Sequence, residues 1–193
     1  MNRLIKQLSD FNLNKSQINR IISIGKILHV RNNVVLIQQN SICDKVYYLL
    51  KGAFVCRYIN EEKEIQKTVN FFMENSHTFF TCADGFLTSN PTNCELRAIR
   101  ASQVIEFNRK DIDMVINEDV EIFKYYHLKV CAGLIEENEL KIKIITESSE
   151  SLYKYLIAEY PSLLANVSTK YIAEFMGITP EWLSKIKRNR LKG

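Results

Sequence analysis

The residues best suited to chemistry lie near the end of the chain, in the segment 166–190. Ser168 is a favourable N-cap for a first helix, because its hydroxyl can accept a hydrogen bond from a backbone N–H that has no partner within the helix. Gly177 can adopt the left-handed backbone that ends a helix. Thr179 and Pro180 then supply a capping hydroxyl and a proline suited to the first position of a second helix. The segment therefore predicts two short helices joined by a tight turn, the layout of a helix-turn-helix that places its second helix in the major groove of DNA.

The side chains of the second helix divide into an inward and an outward set. We expect Trp182, Leu183 and Ile186 to pack inward. On the outward side, Glu181 could accept a hydrogen bond from the amino group of cytosine, and Lys185 could donate to guanine. Thr179 lies on the same reading side, and Ser184 also points outward. The other predicted contacts are with phosphates, which hydroxyls and cations bind to fix the protein on the duplex: Ser168, Thr169, Lys170, Lys187 and Arg188.

Charge concentrates in the same part of the chain. Residues 166–193 hold six of the 26 lysines and arginines but only two of the 22 acids, so their formal +4 equals the net charge of the whole chain. Neutralisation of phosphates needs such a basic patch, because each contact releases counterions. The alternative is a solvated pair of amphipathic helices with a basic tail. The capping and turn signals favour DNA binding.

Length and composition fit one large or two small globular domains. The 193 residues are 46% hydrophobic and 25% charged, which is ordinary for such domains. No run approaches the roughly 20 apolar residues of a membrane span, and the amphipathic N-terminus lacks the apolar core of a signal peptide. We therefore expect a cytoplasmic protein that does not bind membranes.

The sequence offers no constellation of catalytic or metal-binding residues. The five cysteines (Cys43, Cys56, Cys82, Cys94 and Cys131) include no C-x-x-C pair, and the three histidines show no metal-ligand spacing. Buried thiols are the first interpretation, and an iron–sulfur cluster assembled from distant cysteines is the alternative. No G-x-S-x-G, Walker A or H-E-x-x-H motif occurs. We expect no enzyme activity, no metal and no cofactor.

The first 110 residues predict a β-roll with flanking helices. Residues 4–25 carry apolar side chains at helical intervals, with a break near 12–14. Short segments rich in β-branched and aromatic residues follow, separated by turn residues: 27–30, 34–38, 46–50, 54–59, 65–72, 94–99 and 103–107. Many short strands with regular turns are typical of a sandwich or barrel. The predicted fold class is α+β, with a jelly roll ahead of the C-terminal helices.

Residues 111–145 predict one long helix. Apolar residues recur there every three or four positions and form a narrow seam, as in a helix that pairs with a second copy of itself: Val120, Phe123, His127, Val130, Leu134 and Asn138. The polar members His127 and Asn138 could fix the register of the pair. The alternative is a helix that packs on its own barrel and bonds both polar groups locally. The polar stretch 146–151 predicts a hinge, followed by one more helix that stops near Pro161.

This order of elements resembles that of the Crp/Fnr family of bacterial transcription regulators. Residues 46–58 are similar to the family's strand-glycine-strand hairpin, and residues 167–187 are similar to its positioning and recognition helices. The form I-A-x-x-x-G-I-T-P-E-x-L-S-x-I resembles the branch common in Bacteroidetes-type regulators. The resemblance covers essentially the whole chain. It implies a sensor roll at 1–110, a dimerisation helix and hinge at 111–147, and a DNA-binding domain at 148–193.

The resemblance also implies a function. It implies a homodimeric regulator that binds double-stranded DNA at a pseudo-palindromic site and works with RNA polymerase. An effector in the roll would reorient the recognition helices about the hinge near Ser148. The alternative is a small-molecule-binding or protein-interaction module whose helix-turn-helix no longer binds DNA.

The chain departs from the family in the roll. Relatives that bind cyclic nucleotides carry a Gly-Glu pair for the ribose and an Arg-Ser or Arg-Thr pair for the cyclic phosphate. Alignment places these pairs on Thr81-Cys82 and Thr92-Asn93, so both charged ligands are absent. Because hydrogen bonds to charged groups are the strong ones, we expect neither cyclic AMP nor cyclic GMP to bind.

An aromatic and apolar lining remains around this degenerate pocket, at 79–82 and 86–87, beginning with Phe79. It either collapses into a core, which we favour, or holds an unknown small-molecule effector. Cys82 is expected to be an inert thiol, since a redox or metal sensor needs an electropositive neighbour.

A second departure concerns the end of the sequence. Family members continue from the recognition helix into a β-wing that contacts the phosphate backbone, whereas only residues 189–193 follow here. We expect no evident wing, and we expect the cations from Lys187 onward to make the backbone contacts instead.

Overall fold

The computed structural model describes residues 1–74 and 78–190 and begins with two short helices, α1 (Asn2–Asp10) and α2 (Lys15–Ser23). The break predicted near 12–14 is confirmed. Asn12 takes a left-handed backbone with φ of 65°, which asparagine tolerates better than most residues. Asn14 then caps α2, because its side chain accepts from the backbone N–H groups of Ser16 and Gln17.

Within the described residues, eight strands follow in chain order: β1 (Gly25–Val30), β2 (Val35–Ile37), β3 (Lys45–Lys51), β4 (Ala53–Asn60), β5 (Ile65–Met73), β6 (Phe79–Phe80), β7 (Glu95–Ala98) and β8 (Ser102–Asn108). They form two antiparallel sheets with the orders β1-β8-β3-β6 and β2-β7-β4-β5. The seven predicted strands are present, with ends that differ by at most two residues. The short strand β6 and the helix α3 (Ala83–Thr88) were not predicted.

The prediction of a single long helix at 111–145 is wrong in one respect. The structure has two helices, α4 (Arg109–Glu118) and α5 (Val120–Thr146). Asp119 between them is extended, with φ of −143°, and its carboxylate accepts from the N–H groups of Glu121 and Ile122. Gln17 on α2 also donates to this carboxylate, at 3.0 Å. An acid that caps a new helix therefore interrupts a pattern that reads as continuous.

Four more helices end the described chain: α6 (Ser149–Glu159), α7 (Leu163–Asn166), α8 (Thr169–Met176) and α9 (Pro180–Arg190). The predicted hinge coincides with the break between α5 and α6, where the hydroxyl of Ser148 accepts from the N–H of Ser151 at 3.2 Å. Helix α6 ends before Pro161, as predicted, and α7 was not predicted.

Three hydrophobic clusters hold these elements together. One fills the inside of the roll. A second joins α1, α2, α4 and the start of α5 to strands β3 and β8. The third joins the outer face of β4 and β5 to the C-terminal helices, for example through Val55 and Phe71 on the strands and Ile172, Phe175 and Leu183 on the helices. The C-terminal helices are thus packed against the roll of their own chain. None of the described helices is long and apolar enough to cross a bilayer.

Candidate nucleic-acid interface

Helices α8 and α9 form the predicted two-helix unit. The hydroxyl of Ser168 accepts from the N–H of Tyr171 and caps α8. Gly177 takes the left-handed backbone, with φ of 67°, and the hydroxyl of Thr179 accepts from the N–H of Trp182 at 3.2 Å. Leu183 and Ile186 are buried against α8 and the roll, which stabilises the unit by about 1.5–3 kcal/mol for each side chain. These caps and contacts place one face of α9 at the surface.

The predicted base-reading residues lie on that surface. The following DNA-contact candidates are exposed: Ser168, Lys170, Thr179, Glu181, Ser184, Lys185 and Arg188. Glu181 and Lys185 are four residues apart and therefore share a helix face. The hydroxyl of Ser184 donates to the carbonyl of Pro180 at 2.8 Å, so it keeps acceptor capacity toward a ligand.

The expectation that Trp182 packs inward is wrong. Its side chain is 39% exposed, and the ammonium of Lys185 lies over its indole ring, 4.9 Å from the ring centroid. Leu183 and Ile186, three residues apart, fill the narrow inner face of α9, and Trp182 lies about 100° to the side. The surface of α9 therefore presents the indole ring of Trp182 beside Glu181 and Lys185.

Two of the residues predicted to contact phosphates, Lys187 and Thr169, bind each other in the structure. The ammonium of Lys187 donates to the hydroxyl of Thr169 at 3.0 Å, so it ties α9 to the start of α8. Both side chains are half-buried. Arg188 is exposed on the next position. The prediction that no wing follows α9 concerns residues 191–193, which lie outside the described residues.

A buried ionic cluster, which sequence reasoning missed, fixes α8 on the roll. Its members are Arg57 on β4, Thr68 on β5, Glu95 and Arg97 on β7, and Glu174 on α8; we call it the Arg57 cluster. Arg57 lies 3.3 Å from a carboxylate oxygen of Glu174 and 3.6 Å from one of Glu95. The Arg57 and Glu95 side chains are each 8% exposed, and that of Glu174 is 12% exposed.

Further contacts complete the Arg57 cluster. The hydroxyl of Thr68 donates to Glu174 at 2.9 Å. Arg97 donates to both oxygens of Glu95, at 2.8 and 2.9 Å. The Arg57 guanidinium also lies over the ring of Tyr171 on α8, 5.2 Å from its centroid. Because charges removed from water must be paired, this cluster specifies where α8 lies on the sheet.

Two residues of the predicted degenerate pocket, Thr92 and Asn93, bind the carboxylate of Asp84. Thr92, which is fully buried, donates its hydroxyl to one oxygen of Asp84 at 2.7 Å, and the N–H of Asn93 donates to the other at 2.7 Å. Burial alone would raise the pKa of Asp84, but these hydrogen bonds outweigh it and hold the pKa below its ordinary value. A carboxylate therefore accompanies the position where relatives carry the phosphate-binding arginine.

Part of the aromatic lining packs into the core of the roll. The ring of Phe80 packs among those of Tyr47, Phe54 and Phe72, with centroids 5.5, 4.9 and 5.0 Å away. The placement of Phe79 in the pocket is wrong. Its ring lies against Tyr48, with centroids 4.8 Å apart, on the other side of the sheet. Adjacent strand residues point to opposite faces, so only one of the two phenylalanines can line the interior.

Thr81 and Cys82 are engaged within the protein. The Thr81 hydroxyl donates to the carbonyl of Lys45 at 2.7 Å, and Cys82 is buried at the N-terminus of α3. A recess of about 310 Å³ lies elsewhere on the roll, with Ile37, Lys45, Tyr47 and Glu106 among its lining residues. Within residues 1–74 and 78–190, no group of three acidic, histidine or cysteine side chains is arranged to hold a metal ion.

The predicted seam of α5 is exposed along its whole length: Val120, Phe123, His127, Val130, Leu134 and Asn138. Leu134 has 71% of its surface exposed. The imidazole of His127 stacks on Phe123, with ring centroids 6.1 Å apart. Ile122, Tyr125 and Leu140 form the opposite, buried side of the helix. The alternative, a helix that packs on its own barrel, is right for this opposite side of α5 and wrong for the seam, which remains an uncovered and largely apolar stripe.

Comparisons with known proteins agree with this architecture. Residues 27–119 match the cyclic nucleotide-binding domain family, and no curated protein sequence matches the chain significantly. The structure is similar to FixK2 from Bradyrhizobium japonicum, with 15% identity over 86% of this chain and 84% of that one, and a TM-score of 0.74. It is similar to the c-di-GMP-responsive regulator CLP of Xanthomonas campestris, with 11% identity, coverages of 93% and 92%, and a TM-score of 0.67. It is also similar to a crp/fnr family regulator from Eubacterium rectale, with 13% identity, coverages of 96% and 87%, and a TM-score of 0.69.

The chain therefore has the fold of the Crp/Fnr regulators, and its roll matches the cyclic nucleotide-binding domain family over residues 27–119. The predicted resemblance and the α+β fold class are confirmed. Membership of the Bacteroidetes-type branch stays a prediction.

Proposed function

We propose that this protein is a homodimeric, DNA-binding transcriptional regulator that works in the cytoplasm and has no enzymatic activity. The observation that carries the proposal is the outer face of α9. Glu181, Ser184 and Lys185 form one exposed polar surface on a capped helix of a two-helix unit. Acid, hydroxyl and ammonium groups are the groups that read base edges in the major groove.

The cations around this face suit the phosphate backbone. Lys170 and Arg188 are exposed at the two ends of the unit, and Lys187 is held at the helix contact by Thr169. Exposed hydroxyls of Ser168 and Thr179 add donors at the two helix starts. Because phosphate contacts position a protein on DNA without reading sequence, these groups would fix the orientation of α9.

The exposed stripe on α5 supports the dimer. An apolar seam that repeats every three or four residues packs against an identical helix with its side chains interlocked. A two-fold dimer presents two recognition helices, so the preferred site would be a pseudo-palindrome with half-sites about one helical turn apart. RNA polymerase is the partner that such a regulator would contact.

The roll is proposed to have lost cyclic-nucleotide binding. Phe80 packs in its interior, and the Asp84 carboxylate, which Thr92 and Asn93 bind in place of a charged pair, would repel a cyclic phosphate. Isothermal titration calorimetry with cyclic AMP and with cyclic GMP should therefore give no binding heat at micromolar concentrations. A micromolar dissociation constant for either nucleotide would contradict the prediction. An unknown small-molecule effector would need another place, and the recess beside Tyr47 is the candidate.

The first experiment is selection of bound duplexes from a random pool with the purified, ligand-free protein. Enrichment of a two-fold symmetric motif is the expected result. If nothing is enriched, repeating the selection with a cell extract tests whether an effector is missing. Failure in both conditions would support the alternative, a module whose helix-turn-helix no longer binds DNA.

Lys185→Ala should weaken binding to the selected motif by about 1–3 kcal/mol and relax the preference at one base position. The loss follows from removing a donor on the reading face while the buried side of α9 is unchanged. Trp182, the only tryptophan of the chain, lies beside Lys185 and gives a fluorescence signal for the titration. Lys6→Ala, an exposed lysine on α1, is the matched control and should bind as the unmodified protein does. Unchanged affinity and preference in Lys185→Ala would show that another face reads DNA.

A further inference from the structure

Three cysteine side chains meet inside the roll, although they are far apart in sequence. Cys56 lies on β4, Cys82 is the N-cap residue of α3, and Cys94 directly precedes β7. Cys56 and Cys82 belong to the same buried cluster inside the roll, and Cys94 packs against it. The thiol of Cys82 also donates to the carbonyl of Cys94 at 3.6 Å.

The three thiols differ in access to solvent. Cys56 and Cys82 are buried, whereas Cys94 is partly exposed. The hydrogen bond from Cys56 lowers the pKa of the Cys94 thiol, and it outweighs the opposing effects of burial and of the Asp84 charge. The contacts with the other two thiols, together with burial, raise the pKa of Cys56. A partly exposed thiol with a lowered pKa next to a second thiol is an arrangement that favours oxidation of the pair.

We propose that Cys94 and Cys56 form a reversible disulfide when the protein meets a hydroperoxide. The Cys94 thiolate attacks one peroxide oxygen and breaks the O–O bond, which gives a sulfenic acid and, after protonation, water or an alcohol. The thiol of Cys56 then attacks the sulfenic sulfur and expels water as the S–S bond forms. Two thiols are oxidised by two electrons, one peroxide is reduced, and a thiol reductant reverses the step. This inference goes beyond the proposed function and does not depend on DNA binding.

Forming this bond requires the backbone to move. In the β4–β7 ladder Cys56 is opposite Leu96, so Cys94, two residues earlier, is its diagonal neighbour. Diagonal neighbours on one face of a sheet are about 7–8 Å apart, whereas the Cα atoms of a disulfide are usually about 5.5–6 Å apart. The register irregularity between Cys56 and Arg57 on the β5 side of β4 is where the strand could adjust.

The movement would reach the helix-turn-helix, because Cys56 and Cys94 each directly precede a member of the Arg57 cluster. Arg57 follows Cys56, and Glu95 follows Cys94. Successive strand residues face opposite sides, so the thiols lie inside the roll and the charges lie outside, beneath α8. A shift of β4 against β7 would disturb the contact of Arg57 with Glu174. Oxidation would therefore loosen α8 from the sheet.

The test treats the full chain with hydrogen peroxide, blocks free thiols with N-ethylmaleimide, and maps the linked peptides by mass spectrometry without reduction. A peptide pair joined through Cys56 and Cys94, lost after dithiothreitol, is expected. Cys94→Ser, with Cys94→Ala as a second variant, should abolish the link. Cys131→Ser, at the cysteine on α5, should keep it. A dominant Cys56–Cys82 link, or a Cys94 that stays fully alkylated after peroxide, would overturn the proposal.

Hydrogen exchange tests the link to the helix-turn-helix. Amides of residues 169–176 should exchange faster in the oxidised protein than in the reduced protein, and the Cys94→Ser variant should show no such change. Equal exchange rates in the oxidised and reduced protein would overturn the coupling of the thiol pair to α8.

Discussion

Leu134→Glu should convert the proposed dimer into a monomer that keeps its fold. Leu134 is 71% exposed in the single chain, so the substitution costs the monomer little, as is usual for surface positions. In the dimer the same position would bury two leucines, each worth about 1.5–3 kcal/mol. Two unpaired carboxylates would add a desolvation cost. The dissociation constant of the dimer should rise by a factor of about 100 or more.

Sedimentation velocity measures this change directly, and circular dichroism checks that the monomer is folded. Ala132→Glu is the matched control, since it adds the same charge to an exposed position about 160° around α5 from Leu134. That control should remain dimeric. A dimer that survives Leu134→Glu would show that the subunits meet through another surface. Loss of the dimer should also weaken binding to a symmetric DNA site, because each half-site then binds alone.

Local signals explain which parts of the fold the sequence could predict. The strands of the roll and the caps of α8 and α9 depend on residues that are close in sequence, such as Ser168 and Gly177. The seam of α5 was predictable for the same reason, since its period lies within one helix. The break at Asp119 was not predictable, because apolar residues continue at helical spacing on both sides of it. Its carboxylate is also held by Gln17, a residue 102 positions away.

The candidate site divides in the same way. The exposed residues of α9 follow from helical period and charge, but the position of Trp182 depends on which side chains fill the space above α8. Phe79 and Phe80 were confused because a one-residue shift in a strand exchanges its two faces. The Arg57 cluster joins residues up to 117 positions apart, and no pattern in a single sequence indicates such a contact.

The packing of α8 on the roll bears on regulation. In this chain the helix-turn-helix shares a hydrophobic core with β4 and β5, and the rings of Phe71 and Phe175 lie with centroids 5.0 Å apart. A change inside the roll can therefore reach α8 directly through the sheet, in addition to any movement about the hinge at Ser148.

Arg57→Met should lower the free energy of unfolding by about 3–5 kcal/mol, the scale for removing one partner of a buried ion pair. Methionine keeps most of the apolar stem, so the main loss is the charge that faces Glu174 and Glu95. Glu95 retains Arg97, whereas Glu174 keeps only Thr68 and the exposed Lys170, whose ammonium lies 3.9 Å away. Urea denaturation followed by circular dichroism measures the change.

A second substitution separates the effect of charge from that of packing. The double variant Arg57→Met, Glu174→Gln no longer carries the unpaired carboxylate at position 174. The side-chain amide that replaces it can still accept a hydrogen bond from Thr68. This double variant should recover a large part of the lost stability, and Glu174→Gln alone should cost less than Arg57→Met. The coupling energy from the four proteins then reports the direct interaction between the two residues. Additive losses would mean that Arg57 acts through its packing on Tyr171 and not through its charge. In that case the ion pair between Arg57 and Glu174 would not hold α8 on the roll, and a shift of β4 against β7 would not act on α8 through that pair.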